Sequence, residues 1–155
     1  MRIKKRNIFV KAFILMLIFV MTLPTYAINN EEIDSRRASP FISSIVSSTT
    51  SDGNGQLTVS YYVACIGILD EIGASKVQIY RKNNNGSTTL AATFSFDPDS
   101  IYYESGMTGF DVGHYSNDIQ YRGTRGMDYY AVITAYARDG SISDTETVTT
   151  NTVTA

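Results

Sequence analysis

Residues 129–139, YYAVITAYARD, constrain the fold more than any other stretch of the chain. Tyr129, Ala131, Ile133 and Ala135 fall on one side of a period-two pattern, and Tyr130, Val132, Thr134 and Tyr136 on the other. That is the period of a β-strand with one face in a core. Asp139-Gly140 ends the run with turn chemistry. No later or earlier segment keeps a helical period, so the chain is read as all-β.

Shorter alternating runs surround this one. PFISSIVSS opens at Pro40, where an edge strand tolerates proline. SDGNG is a turn, and QLTVSYYVACIG over 56–67 puts Leu57, Val59, Tyr61, Val63 and Cys65 on one face. LDEIGA reads as a connection to SKVQIYRK, where Val77 and Ile79 point inward. NNNG is a hairpin turn, because Asn and Gly accept positive φ at little cost. STTLAATFSF returns, and residues 97–118 read as a long irregular loop. IQYRG is a short strand, and a Thr-rich strand over roughly 142–153 closes the chain. About seven strands, each with one apolar face, predict a two-layer antiparallel β-sandwich, with a single-sheet barrel as the alternative.

The first 27 residues read as an export signal. Arg2, Lys4, Lys5, Arg6 and Lys11 precede the apolar run AFILMLIFVM, and Pro24 and TYA follow it. The run is shorter than the roughly 20 residues that span a bilayer. Cleavage after Ala27 leaves 128 residues with 8 basic and 15 acidic side chains, a formal net charge of −7. Such a chain repels phosphate backbones, which argues against nucleic acid as a partner. The expected organisation is a signal peptide over 1–27, a polar leader over 28–39 and one domain over 40–155. The product is expected to be secreted, with no membrane anchor after cleavage.

LTVSY at 57–61, SKVQIYRK at 75–82 and YYAVITAYARDGSISD at 129–144 resemble strands B, C, F and G of a fibronectin type III domain, an immunoglobulin-like β-sandwich. Tyr129, Ala131, Ile133, Ala135 and Gly140 keep the spacing of that family's F strand. The resemblance implies that Tyr129 is a corner tyrosine whose hydroxyl bonds to nearby backbone, and that Tyr61 stands where the family has a core Trp. This chain has no Trp, and its 97–118 segment is longer than the family needs. The whole chain also resembles an uncharacterised group of small secreted proteins of clostridia-like Gram-positive bacteria. A shared fold carries no activity by itself.

The residues offer little for catalysis. His114 is the only histidine, and no strained G-x-S-x-G turn accompanies it. Cys65, the only cysteine, lies on an inward-facing alternation and reads as a small buried hydrophobe. One His and one Cys do not make a structural zinc site. Asp97, Asp99, Asp111, Asn117 and Asp118 are the one candidate set for calcium, but their spacing matches no EF-hand. We therefore expect no enzyme, catalytic residues, cofactor or metal. A hydrolase built around His114 is the alternative.

Tyrosine stands out instead, with 10 of the 11 lying beyond residue 27. Tyr61 and Tyr129 are expected in the core, and alternation sends Tyr62, Tyr80, Tyr130 and Tyr136 outward. Since strands C and F are neighbours in a fibronectin-like order, Tyr80, Tyr130 and Tyr136, with Val132, are expected on one solvent-facing surface. That surface is the candidate site for a cell-envelope glycan or a protein partner. Strand-forming tyrosine with no further role is the plain alternative, and a structural or assembly domain is a third reading.

Overall fold

The computed structural model describes residues 39–155; the expected signal peptide and nearly all of the leader lie outside the described residues. The described residues are all-β, with antiparallel pairing between every pair of bonded strands. In chain order the strands are β1 (Ile42–Ser51), β2 (Gln56–Lys82), β3 (Thr88–Ser95), β4 (Thr108–Arg122), β5 (Asp128–Asp139), β6 (Ile142–Thr149) and β7 (Val153–Thr154).

β2 is 27 residues long and joins both layers. Its first half lies between β1 and β4, and its second half between β3 and β5, with β6 beyond β5. The expected connection LDEIGA is therefore part of a strand. Glu71, Ile72 and Gly73 pair with Phe110, Gly109 and Thr108 of β4 on one edge and with Arg138, Ala137 and Tyr136 of β5 on the other. Register shifts between Ala64 and Leu69 against β4, and between Ala74 and Lys76 against β5, bend the strand around this point. Extra residues of this kind increase local twist and re-aim a strand.

Gly73 lies at this bend, against the backbone that leads into β4. A β-carbon there would stand 2.3 Å from the Met107 carbonyl oxygen and 2.7 Å from the Thr108 α-carbon. The Ala74 N–H donates to the same Met107 carbonyl at 2.9 Å, so the neighbouring backbone is pinned and unable to withdraw.

One core fills the space between the layers. Leu57, Val59, Tyr61 and Val63 of β2, Ile119 of β4, and Tyr129, Ala131, Ile133, Ala135 and Ala137 of β5 are all buried there, with Val77 and Ile79 from the second half of β2. A buried tyrosine needs a partner for its hydroxyl. Tyr61 donates to the Met107 carbonyl at 2.8 Å, and Tyr129 accepts from the Thr124 N–H at 2.9 Å. Burial holds the Tyr61 hydroxyl well above the ordinary tyrosine value of 10.0.

The segment from 97 to 118 is not all loop, because residues from Thr108 onward belong to β4. β4 is bonded on one edge only, and its inward side carries Tyr115 and Asn117 before Ile119. Both of these polar side chains hold the Gly106 carbonyl, each at 2.7 Å. A strand with so few aliphatic inward positions has no hydrophobic alternation to betray it.

The last strand is also interrupted. After Thr149 the chain turns its side chain inward at Thr150, whose hydroxyl accepts from the Ala131 N–H at 2.9 Å and lies 2.7 Å from the Thr49 hydroxyl. The Asn151 side chain then brackets Thr49, accepting from its N–H at 2.9 Å and donating to its C=O at 2.8 Å. This clasp ties the end of the chain to β1.

Two measurements check this account. Gly73→Ala is expected to cost about 1–3 kcal/mol or more in urea melts, the range for forcing atoms into a packed site. Tyr61 contributes a pH dependence of definite sign. Stability is full below the ordinary tyrosine value and falls as pH rises above it, because the unfolded chain then ionises where the folded one does not. The stability lost between pH 8 and pH 11 is expected to be smaller in Tyr61→Phe than in the native protein.

Candidate functional site

Tyr80, Tyr130 and Tyr136 are each half-buried, with Val132, on the outer side of the second layer. The structure separates them into a pair and a single ring. Tyr80 and Tyr130 are direct partners across β2 and β5, and their rings stack at 5.4 Å with planes 13° apart. Lys82 follows on the same side of β2, its Nζ 5.7 Å from the Tyr130 ring centre. Tyr136 is partnered by Gly73, six residues along β5 from Tyr130, or about 20 Å at the rise of a strand. Its ring packs instead on Phe96, 5.1 Å away. The expected three-tyrosine surface is thus a stacked pair at one end of the sheet and a Phe–Tyr contact at the other.

The other outward tyrosine, Tyr62, belongs to the first layer and is 39% exposed. His114 of β4 stacks on it at 5.7 Å, with planes 29° apart. His114 lies opposite Ala64 in the register, and Tyr62 opposite Ser116. The stack is therefore diagonal, and it depends on a β4 pairing that no hydrophobic alternation announces.

Among the described residues His114 makes no side-chain hydrogen bond to an acid or a hydroxyl, and its ring contact is with Tyr62. Cys65 points to the opposite side of β2. It is half-buried rather than fully enclosed, and its thiol lies 3.1 Å from the carbonyls of Gly67 and Gly113. Burial pushes the Cys65 thiol up from its ordinary value. The acids of the former loop do not converge. The Asp97 carboxylate accepts the Asp99 N–H at 3.0 Å, Asp118 sits opposite Ser60 on β4, and no group of three or more metal-ligating side chains occurs among the described residues.

A second polar centre lies at the bend of β2. Glu71 is buried, and its carboxylate accepts from the Thr108 hydroxyl at 2.9 Å and from Arg138 Nε at 3.3 Å. Arg138 also reaches Asp70 at 3.6 Å. These groups satisfy one another where β2, β4 and β5 meet, which is a structural arrangement.

A thiolate, rather than a thiol, is the reactive form of cysteine. Cys65 is accordingly expected to alkylate more slowly at pH 7.5 than an unstructured cysteine peptide, and air oxidation is expected to leave the protein monomeric on non-reducing gels. Comparison with protein-family models finds no match for this chain, and a search of curated proteins finds none.

Proposed function

We propose that the protein is an exported, non-catalytic β-sandwich module of the fibronectin type III kind that binds cell-envelope glycan or a protein partner. The stacked Tyr80–Tyr130 pair carries this reading. It places two aromatic rings and two hydroxyls side by side on an open four-stranded face, with a cation beside them. Tyrosine in such a position supplies contact area with little entropy to lose.

Two features support the choice of fold family. The second half of β2 and β5, in the places of strands C and F, pair along eleven positions. Tyr129, at the start of β5, accepts a backbone N–H from a residue five places upstream, as a corner tyrosine does. The continuous β2, which takes the places of both B and C, is a departure from separate strands. Export rests on the basic and apolar composition of the first 27 residues, and a bacterial source on the resemblance of the whole chain to small secreted clostridia-like proteins.

The test is a pull-down of the protein on purified cell-wall material, beside the double variant Tyr80→Ala/Tyr130→Ala. The variant is expected to lose retention while its melting temperature falls only slightly, since a cross-strand pair contributes roughly 0.2–1 kcal/mol. Equal retention of both proteins, or loss that accompanies unfolding, counts against this face.

A further inference from the structure

The outer side of the first layer carries a different arrangement. Register sets its side chains in rows that cross β1, β2 and β4. Ser44, Ala64 and His114 form one row; Val46, Tyr62 and Ser116 the next; Ser48, Ser60 and Asp118 the third. Successive rows are about 7 Å apart, two residues of strand rise.

His114 stacks on Tyr62 from the first row. A shallow, open depression of about 230 Å³ occupies the second and third, lined by Val46, Ser48, Ser60, Tyr62, Ser116 and Asp118. His114 thus braces the Tyr62 ring, which also lines the depression. Val46, 63% exposed, continues the apolar wall.

The polar rim is uncommitted. Among the described residues, the hydroxyls of Ser48, Ser60 and Ser116 and the carboxylate of Asp118 make no side-chain hydrogen bond or ion pair. The row beyond them contrasts with this. There the Gln120 Oε1 atom accepts from Thr58 at 3.1 Å and from Gln56 at 3.0 Å. The rows of Tyr62 and Asp118 thus hold polar groups without side-chain partners among the described residues.

We propose that this depression binds one pyranose residue of a glycan. A sugar ring has an apolar C–H face that packs on an aromatic ring, and a rim of hydroxyls that needs donors and acceptors. Asp118 takes two adjacent sugar hydroxyls through charge-assisted bonds, and the serines take others. The volume is below the 300–1,000 Å³ of drug-sized pockets, which suits a single ring with the rest of the glycan running over the open sheet. No Lys or Arg lines the depression, so an anionic ligand gains nothing there. This site lies on the opposite face from Tyr80 and Tyr130 and stands or falls independently of them.

The experiment is a two-dimensional amide NMR titration of the protein with chitotetraose, cellotetraose and maltotetraose, repeated on Asp118→Asn and on Tyr80→Ala/Tyr130→Ala. At least one saccharide is expected to give saturable shifts centred on residues 46–48, 60–62 and 116–118. Asp118→Asn, a near-isosteric change on an exposed side chain, is expected to weaken binding about tenfold, the loss typical of a charge-assisted hydrogen bond. The shifts at residues 46–48, 60–62 and 116–118 are expected to persist in Tyr80→Ala/Tyr130→Ala, whatever that variant does to binding at its own face. The proposal is overturned by an absence of saturable shifts with all three saccharides, by shifts confined to residues 78–82 and 128–136, or by undiminished binding in Asp118→Asn. The second of these outcomes would leave the tyrosine-pair reading intact.

Discussion

Membership of β2 in both layers is the constraint from which the rest of the structure follows. A strand paired on both edges at Glu71–Gly73 by β4 and by β5 fixes where the two layers meet. Once that point is set, register places every outward side chain. Tyr80 must face Tyr130, and Tyr62 must stand beside Ser116. The bend in turn depends on a backbone contact with no room for a β-carbon, at Gly73 against Met107. Met107 serves twice, since its carbonyl also receives the Tyr61 hydroxyl from the core. Packing, hydrogen bonding and topology are joined at one residue pair.

The two outer faces differ in how they use aromatic rings. On the second layer Tyr80 and Tyr130 are cross-strand partners with nearly parallel planes, so each ring spends a face on the other. Lys82 stands beside the Tyr130 ring. On the first layer the partner of Tyr62 is an imidazole one row away, and Tyr62 lines the depression that Asp118 also lines. Stacking stiffens a side chain in both cases, but only in the second does the ring share a depression with a carboxylate that has no side-chain partner among the described residues.

Much of the fold was legible in the amino-acid pattern, and what was missed has a common cause. β5 could be read residue by residue because its inward positions are Tyr, Ala, Ile and Ala without interruption. The first half of β2 was legible for the same reason. β4 was not, since Gly109, Gly113, Tyr115 and Asn117 occupy positions where an aliphatic repeat would have signalled a strand. Tyr115 and Asn117 hold the Gly106 carbonyl, and Ile119 alone of the strand is fully buried in the core. Tyr80 and Tyr130 were legible as outward, because alternation settles the side of a sheet. The distance from Tyr130 to Tyr136 and the contact with Phe96 depend on pairing across strands, which alternation does not encode. The Tyr62–His114 stack was out of reach for that reason as well.

The clasp between Thr49 and Asn151 spans 102 residues of sequence. Beyond it, the Ala155 N–H donates to the Met127 carbonyl at 2.9 Å and the Ala155 carbonyl accepts from Gly126 at 2.7 Å. The order of synthesis therefore works against early completion. A ribosome-bound chain holds every residue of β1 and β2 before it holds Thr150 and Asn151, which clasp Thr49. Contacts of such long range pay their loop-closure entropy before they are rewarded, and they make folding slow. The clasp that ties β1 to the segment after β6 is therefore among the last contacts to be rewarded as the sheet closes.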